Sequence, residues 1–223
     1  MIMIRAMKKA LLHLGAVATI LLALVAVGCT GSGNTPSSSE DADAAANAVV
    51  LSQIQGAEPE DSANAQPLFE DTDGTMDSLL RAKGYVFGNE IVKASQEGNV
   101  NAQYLLAQMY AYGICGARPN RTKAFRLYTL LADNGVAEAK AMAGYMMLYG
   151  FGTEQDARQG LQMVAQAANA DCGLAYLFLG DFYSKVEPSK KNIAYAKSCY
   201  NEALRLGVAA AQIQLDNLKE KND

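Results

Sequence analysis

A five-residue motif recurs four times along this chain at a nearly constant step. It reads Gly98-Asn-Val-Asn-Ala102, Gly135-Val-Ala-Glu-Ala139, Asp171-Cys-Gly-Leu-Ala175 and Gly207-Val-Ala-Ala-Ala211, with steps of 37, 36 and 36 residues. A fixed period of this size constrains the fold more than any composition does. Each unit is one supersecondary element too thin to hide its own apolar face, so neighbours must stack to build a core.

The apolar positions keep the same register. Counted from the last residue of each motif, offsets 0, 3, 4, 7, 8 and 11 hold Ala102, Leu105, Leu106, Met109, Tyr110 and Gly113. The second copy holds Ala139, Met142, Ala143, Met146, Met147 and Gly150, and the third Ala175, Phe178, Leu179, Phe182, Tyr183 and Val186. This spacing marks one face of a helix. A second helix follows in each unit, with Ala124, Leu127, Tyr128, Leu131 and Ala132 in the first copy. Its equivalents are Gly160, Met163, Val164, Ala167 and Ala168, then Ala196, Cys199, Tyr200, Ala203 and Leu204. Breakers and caps separate the two helices at Pro119-Asn120, Gly150-Phe-Gly152-Thr153 and Pro188-Ser189.

The small residues have two predicted uses. Gly135 and Gly207 fall just past a helix end, where a left-handed residue stops the helix without a Cβ clash. Ala107, Gly144 and Gly180 share one site in the first helix of each unit, where a missing side chain lets the partner helix approach. The expected fold is therefore all-α: a right-handed α-solenoid of stacked helix-turn-helix repeats over about 99–135, 136–171 and 172–207. Capping helices are expected at about 76–97 and 208–221. There the register holds polar residues on half the stripe: Glu90 and Ser95 before the array, Gln214 and Lys219 after it.

Upstream the chain changes character. "MKKALLHLGAVATILLALVAVGC", Met7 to Cys29, has two lysines, an apolar run and small residues before a cysteine, the layout of a secretory signal. Ala26-Val27-Gly28-Cys29 resembles a bacterial lipobox, which implies lipidation of Cys29 and cleavage before it, leaving residues 1–28 as signal peptide. Acyl chains contributing about 0.8 kcal/mol per buried CH₂ would anchor the protein stably. Plain secretion and an uncleaved membrane span are the alternative readings of this segment, and translation from Met1 or from Met7 leaves it intact. Residues 29–75 are expected to be a disordered tether. Ten acidic residues and no Lys or Arg lie between Cys29 and Leu80, and weak hydrophobicity there cannot offset the entropy of ordering. The expected location is the bacterial cell envelope, at the outer membrane or in the periplasm of a Gram-negative host.

The pattern A-x-x-x-L-G-x-x-Y-x-x-G … K-A-x-x-W-Y-x-x-A-A-x-x-G-x-x-x-A is met by "AQYLLAQMYAYG" with "KAFRLYTLLADNGVAEA", and less closely by the two later copies. In these residues the chain, over roughly 84–215, resembles the Sel-one-like repeat family, a branch of the tetratricopeptide-like class. Leu127, Met163 and Cys199 stand where that family has Trp, and Asp171 stands for the usual Gly. The resemblance implies a scaffold that binds a protein or peptide on a concave surface lined by the first helices. Tyr104, Gln108, Tyr112, Tyr145, Tyr149, Asp181 and Lys185 lie off the buried stripe on that face and are the candidate partner-binding residues; packing between repeats is the alternative use for them. Exposed Tyr gives large contact area at low entropic cost.

Nothing in the pattern of residues points to catalysis, so the expectation is a protein that is not an enzyme and uses no cofactor or metal. The one histidine, His13, falls inside the signal segment, so the mature chain would have no imidazole for Ser-His-Asp, Cys-His or zinc chemistry. Cys115, Cys172 and Cys199 are odd in number and lack C-x-x-C spacing. A cysteine-rich bacterial branch of the family carries a disulfide in each repeat and has been linked to penicillin hydrolysis. This chain has neither that pairing nor an S-x-x-K, so a β-lactamase-like hydrolase is the least favoured reading. From residue 81 onward, 13 acids face 16 bases, a scattered balance that gives no ground for nucleic acid.

Overall fold

The computed structural model describes residues 67–68, 75–186 and 188–220. The signal segment, Cys29 and nearly all of the tether lie outside the described residues. Among the described residues there are nine helices and no strand. In chain order they are α1 (Thr75–Ala82), α2 (Asn89–Gln96), α3 (Val100–Tyr112), α4 (Arg121–Asp133), α5 (Ala137–Tyr149), α6 (Ala157–Ala168), α7 (Gly173–Lys185), α8 (Lys190–Arg205) and α9 (Ala210–Glu220). Helices α3–α4, α5–α6 and α7–α8 are the three hairpins. Each packs on the next through its second helix, α4 on α5 and α6 on α7, and α5 also touches α7 directly. Helix α2 covers α3, and α9 closes the far end against α8.

Offsets 0, 3, 4 and 7 of the first helices are buried in all three copies, as the register predicts. Offset 8 (Tyr110, Met147 and Tyr183) is only half-buried. Burial also extends well beyond the stripe, to Ala111, Ala141, Leu148, Leu174 and Leu177. A first helix in the stack has neighbours on several sides, and a helix surrounded by protein is apolar nearly all round.

Local chemistry sets where each helix begins and ends. Asn120, Asp156 and Ser189 cap the three second helices, accepting from the backbone N–H of Lys123 (2.9 Å), Gln159 (2.9 Å) and Asn192 (3.1 Å). In the middle link the cap is thus Asp156, three residues beyond Thr153. Between units, Gly135 and Gly207 take φ of +85° and +87°, and Asp171 holds the same left-handed turn at φ +55° without the freedom of glycine.

The small-residue site works as a seam. A Cβ on Gly144 would lie 2.8 Å from the Gly160 carbonyl oxygen, and one on Gly160 would lie 2.6 Å from that of Gly144. The two helices of the middle hairpin therefore cross backbone against backbone. In the third hairpin the notch at Gly180 is filled by the Tyr200 ring, whose Cε1 lies 2.4 Å from where a Cβ would be.

Pro67 and Leu68, assigned to the tether by composition, belong to the fold. Leu68 is buried in the core cluster, its N–H donates to the Ala111 carbonyl at 2.6 Å, and the Pro67 carbonyl accepts from Arg121 at 2.8 Å. Ala111 lies in the last turn of α3, where helix carbonyls have no partner within the helix. Helix α1 is fixed nearby. Its Asp77 carboxylate accepts from the Cys115 N–H and pairs with Arg81 at 2.7 Å.

Candidate partner-binding face

The seven candidate residues do not form one exposed surface, although six of them share two register positions. Gln108, Tyr145 and Asp181 share one position in the repeat, and Tyr112, Tyr149 and Lys185 share the next turn. In the first copy both residues are buried, Gln108 at 2 % and Tyr112 at 8 % exposure. In the second copy Tyr145 and Tyr149 are half-buried, and in the third Asp181 is half-buried while Lys185 is open. Exposure thus rises along the array. Tyr104 packs edge-on against Tyr128 with centroids 5.9 Å apart. Gln108 and Tyr112 thus lie in the interior of the first copy, whereas Tyr104 is half-buried against Tyr128.

Tyr145, Tyr149, Asp181 and Lys185 do come together. The Tyr145 ring stacks on Phe178 of α7 at 4.4 Å and tilts against Tyr149 at 4.9 Å, while Tyr149 stacks on Phe151 at 5.8 Å. The Arg121 guanidinium lies 4.8 Å from the Phe151 centroid, a cation–π contact. Asp181 accepts from the Tyr200 hydroxyl at 2.8 Å and from Lys185 at 2.8 Å, and the Tyr200 hydroxyl also pairs with Ser184 at 2.9 Å. Burial first, and then the Asp181 carboxylate, raise the Tyr149 and Tyr200 phenols above their ordinary value. The Tyr145 phenol is raised too, by burial first, then by Tyr149 and then by Asp181. These phenols stay protonated at neutral pH. The result is an aromatic patch with a cation at one side and an Asp–Lys pair at the other, suited to adhesion.

Arg121, Phe151 and Phe178 complete this face but escape the sequence pattern. Phe151 sits in the Gly150-Phe-Gly152 helix stop, Arg121 directly follows the Asn120 cap, and Phe178 counts as a core residue in the stripe. Gly152 is the one signal: at φ +72° a Cβ there would lie 2.3 Å from the Arg121 carbonyl carbon, so the loop carrying Phe151 rests on the start of α4.

Cys115, Cys172 and Cys199 are free and buried. Burial pushes the Cys115 and Cys172 thiols up to about 11. A group whose pKa rises on folding stabilises the fold below its unfolded value, near 9, and loses that contribution as pH climbs through 11. For Cys172 this is worth roughly 2–3 kcal/mol at ~1.4 kcal/mol per pH unit. In a Cys29→Ser chain the urea midpoint is expected to hold up to pH 9 and fall between pH 9 and 11. A midpoint unchanged at pH 11 would contradict this. Among the described residues no group of three or more metal-ligating side chains is assembled, and no helix is long and apolar enough to cross a membrane.

Stacked two-helix units sharing one register, with an aromatic face on their first helices, define a helical-repeat protein. The Sel1 repeat matches three times, over residues 100–136, 137–172 and 173–208. Residues 100–208 thus form three Sel1 repeats. A solved Sel1 repeat protein from Oxalobacter formigenes superposes with a TM-score of 0.51 at 20 % identity, covering 66 % of this chain and 60 % of that one, which shows the shared fold. The c5321 protective antigen of uropathogenic Escherichia coli, also of this fold, matches with a TM-score of 0.47 at 25 % identity, over 60 % of this chain and 28 % of that one. Among curated proteins, the chitin synthase regulator SKT5 of Saccharomyces cerevisiae is 30 % identical over 135 residues, 59 % of this chain. The matched region spans only 19 % of that relative's length.

Proposed function

We propose that this protein is a lipid-anchored scaffold of the bacterial cell envelope that binds a protein or peptide partner and performs no catalysis of its own. The observation that carries the adhesive part is the half-buried cluster of Tyr145, Tyr149 and Phe151 between Arg121 and the Asp181–Lys185 pair. Aromatic side chains with a neighbouring Arg are the residue types that dominate binding hot spots. The anchor rests on Ala26-Val27-Gly28-Cys29 and on "TGSGNTPSSS" directly after it, the Ser/Gly-rich composition that commonly follows a lipid anchor.

A second reading gives the partner an activity that docking changes, as an adaptor or regulator of an envelope enzyme. The likeness to a regulator of a synthase favours it, over the fifth of that relative which the match spans.

Cells fed an alkyne fatty acid are expected to label the wild-type protein and spare Cys29→Ala. Equal labelling of both would remove the anchor from the account. Recovery of one enzyme in stoichiometric amount with the anchored protein would select the second reading.

A further inference from the structure

The burial of the first copy's face has an identifiable neighbour. Leu68 is seated in the core beside the end of α3, bonded to Ala111, the residue before Tyr112. Arg121 holds the preceding carbonyl of Pro67. Two of these three contacts use main-chain atoms of the 67–68 segment, one N–H and one carbonyl. Both belong to the single peptide bond between Pro67 and Leu68, a group that any peptide carries. The third is an aliphatic side chain in an apolar socket, and only this contact selects for sequence. The acceptor at Ala111 is an end-of-helix carbonyl, a preformed site for an incoming N–H. The donor at Arg121 is held by its contact with Phe151, which belongs to the Tyr145–Tyr149 cluster. The Arg121 Nε is buried and has no hydrogen-bond partner, so the seated segment leaves one donor of that guanidinium unused.

We infer that the Leu68 socket, bounded by Ala111 and Arg121, is a peptide subsite at the closed end of the partner-binding face, occupied in cis by Pro67–Leu68. The partner it fits is an extended peptide presenting a leucine-sized residue, with its preceding carbonyl directed at Arg121. Such a partner displaces the chain's own segment and continues toward Tyr145, Tyr149 and Lys185, where the face opens. The inference rests on the adhesive reading above and adds the chemistry of the occupant and its competition with the tether.

The test uses the full chain and a fluorescent peptide of its own sequence, ANAQPLFED, residues 63–71. Leu68→Ala empties the socket and is expected to bind this peptide at least tenfold more tightly than wild type. Adding Arg121→Gln to that variant is expected to abolish the gain. Equal affinity for wild type and a folded Leu68→Ala, or binding to neither, overturns the inference. If partner capture from envelope extracts persists in that case, the adhesive reading stands without it. Should Leu68→Ala lose its helical signal, the wild type decides. Saturating peptide is expected to move the Leu68 amide resonance toward its random-coil position, and an unmoved resonance overturns the inference.

Discussion

Replacing Gly160 with Val is expected to cost roughly 3 kcal/mol and lower the melting temperature by about 6–12 °C, at ~2–4 °C per kcal/mol for a chain of this size. The new Cβ would meet the Gly144 carbonyl oxygen at 2.6 Å, the Leu148 nitrogen at 2.7 Å and the Leu148 Cα at 2.9 Å. All three are backbone atoms of a packed helix and have no rotamer to change. Relief comes only from separating α5 and α6, which uncovers the well-buried Met146 and Val164. Helix propensity works the other way, because Gly is about 1 kcal/mol worse than Ala in a helix interior. Gly160→Ala therefore lies between wild type and Gly160→Val and is still destabilising, since its Cβ makes the same contacts. A comparison at Gly135 separates crowding from backbone strain. No atom lies within 4 Å of a Cβ there and φ is +85°, so Gly135→Ala loses about 1–2 kcal/mol through its left-handed conformation alone. Thermal melts of the three variants check the order. Gly160→Val melting with wild type would mean that the close helix crossing is absent in solution.

Tyr200→Ala is expected to be at least as damaging, at about 3–5 kcal/mol. The ring is 1 % exposed and fills the notch at Gly180, and its hydroxyl serves both Asp181 and Ser184. Tyr200→Phe keeps the ring and removes the two hydrogen bonds, a loss of about 1–2 kcal/mol. The pair with Gly180 supplies a sharper signature. Alone, Gly180→Ala destabilises because its Cβ strikes a rigid ring at 2.4 Å. In the Tyr200→Ala background the same change meets an emptied notch and gains up to about 1 kcal/mol of helix propensity. Denaturant titration of the four chains measures that reversal of sign. Additive effects would mean that the two residues do not touch.

The parts of this fold that repeat are the parts legible in the sequence. The period places six long helices, the stripe gives their buried faces, and the equivalence of Gly144 with Gly180 gives the seam. Each follows from a rule applied three times, so copies reinforce one another. What a single position decides is harder to read. Asp171 takes the left-handed turn that Gly135 and Gly207 take, although its side chain disfavours it. Gln108 and Tyr112 share register with Tyr145 and Tyr149, yet one pair is buried and the other half-open. Register alone carries no information about what covers each copy. Arg121 and Phe151 lie at a helix start and in a loop, outside any stripe, and a non-local contact between Gly152 and the start of α4 brings them near the tyrosines. Composition likewise places Pro67 and Leu68 in a solvated tether, whereas the Leu68 N–H bonds the Ala111 carbonyl of α3 and the Pro67 carbonyl accepts from the Arg121 side chain of α4.

The central claim is that the first-helix face does the work of the protein by adhesion. Its most direct test compares partner recovery from envelope extracts by full-length chains altered on opposite faces, with matched melting curves as the control for folding. Tyr149→Ala combined with Lys185→Glu is expected to lower recovery at least tenfold, whereas Arg158→Glu combined with Gln162→Ala, on the exposed side of α6, leaves it unchanged. Recovery that survives the first pair and fails with the second would place the binding surface on the other side of the stack and contradict the account.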